Sequence, residues 1–135
     1  MSAGCNVKVE FGVALPATIL VVEDDVLVRS VVAAYLRERA FDVIEANSAD
    51  EAIRLLRTDV VVDLVFSDVN MPGSMDGLGL AQWLHGERPA LPIILTSGEA
   101  RSAKEASDLG EPRPFLAKPY DHAELERHIR ALLAR

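Results

Sequence analysis

The sequence predicts a doubly wound α/β domain, with five parallel strands in one sheet and helices on both of its faces. Short apolar runs recur at fairly even spacing, they are continuous rather than alternating, and helical patterns lie between them. Continuous apolar runs indicate strands that are buried on both faces. Strands that alternate with helices are typical of crossover connections in a parallel sheet.

Four of the five predicted strands are apolar runs, at residues 19–22, 64–66, 93–95 and 115–117. The remaining strand, at residues 41–46, contains two acidic side chains. We therefore place this strand at an edge of the sheet, where part of it faces solvent.

Helical spacing of apolar residues predicts a first helix over residues 26–39, and the residues that follow this spacing are Val28, Val31, Val32, Tyr35 and Leu36. A second helix begins at a capping box formed by Ser48 and Glu51, in which each side chain bonds a free backbone N–H of the first turn. It carries Ile53, Leu55 and Leu56.

Three further helices complete the alternation. Leu80 and Leu84 lie four residues apart on the third. Residues 100–109 form a weaker, Ala-rich fourth helix that ends at Gly110. The last helix is predicted to be capped by Asp121 and to carry Leu125, Ile129 and Leu132.

Residues 1–16 lie outside this pattern, so we divide the chain into an amino-terminal extension, 1–16, and one domain, 17–135. The alternation of Val7, Val9 and Phe11 with polar residues allows a short extra strand. We expect a flexible tail instead, because chain termini are commonly frayed.

Composition narrows the class of protein. A chain of 135 residues that is 50% apolar and 26% charged is typical of one globular domain. Its net charge of -7 argues against nucleic acid as a partner, since phosphate backbones attract basic surfaces. Cys5 is the single cysteine, which fits a reducing compartment, and no apolar run is long enough for a membrane span. We therefore expect a cytoplasmic protein with neither nucleic acid nor membrane as a partner.

Polar residues collect where the predicted strands end. In chain order they are Glu23, Asp24, Asp25, Asp68, Asn70, Thr96 and Lys118. Singly, each has an ordinary role, and an acid after a strand is often a helix cap. Together they predict a site, because ligands bind beyond the carboxyl ends of the strands in open parallel sheets. Converging carboxylates suit Mg²⁺, which needs only one or two of them and bridges to phosphate.

Four motifs carry a resemblance to a known family. The stretches ILVVEDD, FSDVNMP, ILTSG and FLAKPY, in this order and at these separations, resemble the receiver domains of response regulators in two-component signalling. The similarity runs from about residue 18 to residue 133. It implies a flavodoxin-like strand order of 2-1-3-4-5.

The resemblance also implies roles for the acidic residues. Asp68 matches the aspartate that accepts a phosphoryl group. The metal is Mg²⁺, with Asp24 and Asp68 as side-chain ligands, the backbone carbonyl of Asn70 as a third ligand, and Glu23 acting through water. Asp25, next in the acidic run, is then expected to do no more than cap the first helix.

The remaining roles concern catalysis and switching. Lys118 matches the lysine that holds the phosphoryl oxygens, and the bond before Pro119 is implied to be cis. Thr96 matches the switch hydroxyl, and Phe115 matches the aromatic residue that changes rotamer on activation.

The function implied is that of a stand-alone signalling switch. Asp68 would receive its phosphoryl group from a sensor histidine kinase or a histidine phosphotransfer protein in a phosphorelay. A downstream protein would then bind the surface formed by the fourth helix, the fifth strand and the fifth helix. Such a protein is not an enzyme beyond catalysing its own phosphorylation and dephosphorylation.

The chain departs from the commonest family pattern at three places. The stretch MPGSMDG is one residue longer than usual, so we expect an altered loop with Gly73 and Ser74 at its tip. Phe115 replaces a frequent tyrosine. Gly98 provides no side chain over the phosphoryl site, and side chains there help to govern the access of water.

Two other functions fit the same fold class. An aspartate-nucleophile phosphohydrolase would need a second acid two residues after its nucleophile, and the chain has Asn70 at that position. A flavin or nucleotide binder would need a glycine-rich phosphate loop after the first strand, where this chain has an acidic run.

Overall fold

The computed structural model describes residues 7–10, 13–99 and 114–134. The strands are β1 (Val7–Glu10), β2 (Val13–Pro16), β3 (Thr18–Val22), β4 (Asp42–Ala46), β5 (Leu64–Asp68), β6 (Ile93–Ser97) and β7 (Phe115–Ala117). The helices are α1 (Val26–Glu38), α2 (Ala49–Leu56), α3 (Gly77–Glu87) and α4 (His122–Leu133). The helix predicted over residues 100–109 lies outside the described residues, so α4 is the helix that was predicted as the fifth.

Strands β3 to β7 form one parallel sheet in the order β4-β3-β5-β6-β7. This is the predicted order 2-1-3-4-5, and the mixed polar strand, now β4, lies at an edge as expected. Every residue of β5 and β6 is buried. The two strands with the most continuous burial therefore form the centre of the sheet.

Alternate residues of each strand face opposite sides, and each side has its own core. On one side, α2 and α3 pack on the sheet through residues such as Leu56 and Leu80. On the other side, α1 and α4 pack on it through residues such as Leu36 and Ile129. The sheet is thus covered by two helices on each face within the described part of the chain.

The first turns of the helices test two of the predicted caps. Ser48 Oγ accepts from the backbone N–H of Glu51 at 3.1 Å, which confirms Ser48 as the cap of α2. Glu51 Oε1 accepts in return from the backbone N–H of Asn47 at 2.7 Å. Asp121 is the N-cap residue of α4, as predicted, but its side chain makes no capping hydrogen bond. Its backbone carbonyl already accepts from the N–H groups of Glu124 and Leu125, at 3.0 and 3.1 Å.

Helix α1 buries fewer residues than its spacing suggested. Val32, Ala33 and Leu36 are buried, whereas Val28 and Val31 are 41% and 55% exposed. The apolar stripe of α1 is therefore wider than the face of the helix that meets the sheet.

For residues 1–16 we expected a flexible tail, with a short extra strand as the alternative. In the structure β1 and β2 pair in an antiparallel hairpin, with Val7 opposite Pro16 and Glu10 opposite Val13. Phe11, which also belonged to the alternating pattern, lies outside the described residues.

The longer loop after β5 bends at its predicted tip. Gly73 has a φ of 111°, in the left-handed region that favours glycine. Ser74 Oγ donates to Asp50 Oδ2 at 2.9 Å, which holds the tip against the first turn of α2. Gly77 follows this loop, and a Cβ there would lie 2.2 Å from the carbonyl oxygen of Asp68. Glycine therefore lets α3 begin directly against the end of β5.

The register of the sheet brings the functional strand ends together. Asp68 on β5 is paired with Thr96 on β6, and Thr96 is paired with Leu116 on β7. On the other side of β5, Ser67 is paired with Val22, so Glu23 follows β3 at the level of Asp68. Within the described residues, no helix is long and apolar enough to cross a membrane.

Candidate functional site

Asp68 ends the central strand with its carboxylate held at both oxygens. The residue is only 6% exposed. Its Oδ2 accepts from Lys118 Nζ at 2.7 Å, and its Oδ1 accepts from the backbone N–H of Asn70 at 3.0 Å. A carboxylate has about four acceptor positions. Asp68 therefore keeps acceptor capacity for a ligand while its orientation is set from two sides.

Lys118 reaches Asp68 across one intervening strand. Its backbone N–H donates to the carbonyl of Ser97 at 3.0 Å, which continues the pairing of β6 with β7 beyond Ala117. The Lys118–Pro119 bond is cis, as the resemblance implied. The lysine side chain is 37% exposed, so the ion pair opens to solvent on the side of Lys118.

Glu23 is a buried carboxylate in the same cluster, and it is 7% exposed. Its Oε2 accepts from the backbone N–H of Asp25 at 3.0 Å. Burial raises the pKa of Glu23 to about 7, the negative charge of Asp68 adds to the rise, and the Asp25 N–H partly offsets it. Asp24 and Asp68 both lie close enough to Glu23 to raise its pKa further.

The other two acids of the run are exposed and differ in role. Asp25 Oδ1 accepts from the backbone N–H groups of Leu27 and Val28, at 2.9 and 3.2 Å. Asp25 is therefore the cap of α1, as expected. Asp24 precedes the cap and lies close to Glu23.

An arginine near the cluster serves other groups. Arg29 donates through Nη1 to the backbone carbonyl of Glu23 at 2.8 Å and through Nε to Glu45 at 3.2 Å. Within the described residues, Lys118 is the cation that bonds a carboxylate of the site. The acidic side chains outnumber it.

This donor set can hold a hard cation. The described residues contain no group of three or more His, Cys, Asp or Glu side chains arranged to bind a metal. Mg²⁺ needs less, because it retains several waters and uses one or two carboxylates. Asp24 and Asp68, with the carbonyl of Asn70, meet that smaller requirement. Burial is the largest cause of the raised pKa of Glu23, and the negative charge of Asp68 adds to it.

Thr96 and Phe115 lie on adjacent strands, β6 and β7. Thr96 is buried, and its Oγ1 donates to the carbonyl of Leu116 at 2.6 Å. Phe115 is partly buried and packs against the core formed with α2 and α3. The Thr96 hydroxyl therefore starts from a bond to β7, the strand that carries Phe115.

Two residues of the site received no role from the sequence. Ser97 is 1% exposed, and its Oγ accepts from Asn70 Nδ2 at 3.1 Å. Tyr120 packs edge-on against Phe66 with ring centroids 5.8 Å apart. Burial raises the pKa of Tyr120 to about 12, with contributions from the negative charges of Glu23 and Asp68. The available signal was a hydroxyl at the end of an apolar strand for Ser97, and an aromatic residue directly after the Lys-Pro pair for Tyr120.

Comparison with known proteins identifies similar chains. The family model for the response regulator receiver domain matches residues 19–130. The chain is 34% identical over 118 residues to the heme response regulator HssR of Staphylococcus saprophyticus, a match that covers 87% of this chain and 52% of that protein. It is 31% identical over 123 residues to the transcriptional regulatory protein PdtaR of Mycobacterium tuberculosis, covering 90% of this chain and 59% of that protein. The chain thus spans about half the length of these curated relatives.

Solved structures resemble this fold closely. A response regulator receiver protein from Sinorhizobium medicae has a TM-score of 0.79 and 29% identity, covering 87% of this chain and 94% of that one. A putative response regulator from Chloroflexus aurantiacus also has a TM-score of 0.79 and 29% identity, covering 89% and 99%.

The raised pKa of Glu23 predicts a pH dependence of stability. The pKa is about 7 in the folded chain and 4.5 ordinarily, so the folded state binds this proton more tightly than the unfolded state. Without added metal, the contribution of Glu23 to the free energy of unfolding should therefore be fully present below pH 4.5 and be lost as the pH rises through 7. The fall attributable to this group is on the order of 3 kcal/mol.

The measurement is urea unfolding from pH 4.5 to 8 of the wild-type chain and of Glu23→Gln. Subtracting the two curves cancels the titration of the histidines, which both proteins share. A difference curve that stays flat across this range would show that Glu23 is not buried as described.

Proposed function

The chain belongs to the family of response regulator receiver domains, which act in phosphorylation-based signalling, and we propose that Asp68 is the residue that accepts the phosphoryl group. One observation carries the proposal. A buried carboxylate at the end of the central strand is held by Lys118 Nζ at 2.7 Å and by the Asn70 N–H at 3.0 Å. A nucleophile that is already ionised and oriented needs no general base.

The phosphoryl donor in this proposal is a phosphohistidine on a sensor histidine kinase or on a histidine phosphotransfer protein. An oxygen of Asp68 forms a bond to phosphorus while the bond from phosphorus to the imidazole nitrogen breaks. The departing imidazole takes up a proton from solvent water, and the product is an aspartyl phosphate. Phosphoryl transfer of this kind depends mainly on positioning and on charge stabilisation. In this scheme the chain catalyses only its own phosphorylation and dephosphorylation.

The cofactor in this proposal is Mg²⁺. Asp24, Asp68 and the backbone carbonyl of Asn70 would hold it, and Glu23 would act through a bound water. When bound, the ion supplies positive charge next to the transferring phosphoryl oxygens. Lys118 supplies the second positive charge. Its ammonium group can exchange its bond to the Asp68 carboxylate for a bond to an oxygen of the new phosphoryl group. The excess of carboxylates over bonded cations supports this assignment.

The signal leaves the site through Thr96 and Phe115. The Thr96 hydroxyl exchanges its bond to Leu116 for a bond to the phosphoryl group, and Phe115 turns into the space beside it. The surface altered comprises the segment predicted as the fourth helix, β7 and α4. A downstream protein binds this surface in one state and not in the other. Two observations support this route: Phe115 packs against the core formed with α2 and α3, and the Thr96 hydroxyl donates to the carbonyl of Leu116 at 2.6 Å.

Substitution of the nucleophile tests the central claim. Incubation with acetyl phosphate and Mg²⁺ should add one phosphoryl group to the wild-type chain, measured by intact mass, and none to Asp68→Asn. The matched control is Asp42→Asn, at the opposite end of the sheet, which should be phosphorylated like the wild type. Full phosphorylation of Asp68→Asn would place the acceptor elsewhere.

The adjacent acids Asp24 and Asp25 provide a matched pair for the metal. Asp24→Ala should abolish most Mg²⁺ binding, because it removes a side-chain ligand. Asp25→Ala should retain Mg²⁺ affinity and lose about 1 kcal/mol of stability, because it removes the cap of α1. Mg²⁺ titration followed by amide resonances, together with urea unfolding, separates the two effects. The reverse order of Mg²⁺ sensitivity would contradict this ligand set.

The output route is tested with beryllofluoride, which mimics the phosphoryl group. Amide resonances should shift from Thr96 through residues 115–118 and into the first turn of α4. Phe115→Ala should be phosphorylated normally and should lose the shifts in α4. Shifts that remain confined to the loops around Asp24 and Asp68 would exclude this surface as the output.

A further inference from the structure

Ser97 connects two segments that border Asp68. It follows Thr96 at the end of β6 and is almost completely buried. Its Oγ accepts from Asn70 Nδ2 and from the backbone N–H of Glu99, both at 3.1 Å. Its backbone carbonyl accepts from the N–H of Lys118 at 3.0 Å. One buried residue thus contacts both the loop after β5 and the strand that delivers the lysine.

Asn70 is held at two points by these contacts. Its backbone N–H donates to Asp68 Oδ1 at 3.0 Å, and its side-chain amide donates to Ser97 Oγ. Asn70 itself is exposed, so burial does not fix its conformation. Without the bond to Ser97, the residue would be attached at its backbone N–H alone, and its peptide plane could turn.

We infer that Ser97 is a positioning residue, whose hydroxyl directs the backbone carbonyl of Asn70 toward the cation site through the Asn70 side chain. The inference rests on the proposed function, because it concerns the Mg²⁺ site assigned there. Groups that orient metal ligands without touching the metal commonly change metal affinity by tenfold or more. Ser97 also adjoins Thr96, so the loop of the metal ligand is attached directly to the switch strand.

A purely structural role for Ser97 is the competing explanation. Its bond to the Glu99 N–H could simply satisfy the turn that follows β6. The two roles differ in one respect: a turn-forming serine does not act through Asn70. Because the expected ligand is the backbone carbonyl, Asn70→Ala removes the side-chain link and leaves the ligand atom in place.

A double-mutant cycle on Mg²⁺ affinity tests the inference without any phosphoryl donor. The proteins are the full-length wild type, Ser97→Ala, Asn70→Ala and the double variant, titrated with Mg²⁺ and followed by amide resonances. Each single variant should bind Mg²⁺ about tenfold more weakly than the wild type. The double variant should bind no more weakly than either single one, because the substitutions remove the same link.

Two controls separate the possible failures. Ser48→Ala removes the cap of α2 far from the site, so it should lower the urea midpoint and leave Mg²⁺ affinity unchanged. Asp24→Ala reports on the proposed function itself. If this variant binds Mg²⁺ as tightly as the wild type, the proposed metal site is wrong. If Asp24 matters but Asn70→Ala binds Mg²⁺ like the wild type, the role of Ser97 is overturned and the proposed function stands. Independent, additive losses in the cycle overturn it as well. Should Ser97→Ala fail to fold, the exposed Asn70→Ala variant still decides the matter.

Discussion

A carboxylate buried at the end of a strand requires compensation, and the ion pair between Asp68 and Lys118 provides it over 2.7 Å. The sheet is arranged so that this bond can form. β5 delivers Asp68, β6 separates the partners, and β7 continues into Lys118 through one more backbone bond to Ser97. Removing Lys118 would leave the buried Asp68 carboxylate uncompensated, which costs more than an exposed pair contributes. The order of the parallel strands is therefore what allows the ion pair between Asp68 and Lys118 to form.

Lys118 does not balance all the acidic side chains near Asp68. This excess of negative charge suits the site to phosphoryl chemistry. Glu23, Asp24 and Asp68 lie together, while Arg29 bonds Glu45 and a backbone carbonyl. Burial and the charge of Asp68 hold the pKa of Glu23 near neutrality. A site that is neutral with its own groups would have no need for a cation. In the proposed function, these acidic oxygens are the groups that a divalent ion bridging to phosphate would bind.

The sequence predicted well what depends on the periodicity of apolar residues. The five-stranded sheet, its edge strand and the residues at the strand ends follow from burial, which is encoded locally. Prediction failed where several groups compete for the same partner. Asp121 is the N-cap residue of α4, yet its own carbonyl takes the N–H of Glu124, a group that its side chain was expected to bind. Val28 fits the apolar stripe of α1, but the width of the contact with the sheet decides its exposure.

The site shows the same division. Asp68, Thr96 and Lys118 could be located from motifs, because each lies at or next to the end of a strand. The bond between Asn70 and Ser97 could not, since it joins side chains 27 residues apart and depends on two rotamers. A hydroxyl at the end of an apolar strand is a signal that some partner exists, because burying an unbonded hydroxyl is unfavourable. Which partner it finds depends on the loops, and spacing in the sequence does not record their shape.

The bond of Thr96 gives the proposed switch a defined starting state. Its hydroxyl donates to the carbonyl of Leu116 at 2.6 Å, so it is already hydrogen-bonded before a phosphoryl group arrives. A neutral hydrogen bond contributes about 0.5–1.5 kcal/mol net, whereas a bond to a charged group contributes about 1.5–3 kcal/mol. Exchange of the carbonyl for a phosphoryl oxygen is therefore favourable by an amount on the order of 1 kcal/mol. That margin is enough to shift a population and small enough to reverse when the phosphoryl group leaves. In the proposed switch, the carbonyl released belongs to Leu116 on β7, next to Phe115, so the exchange changes a contact of the strand that would carry the signal.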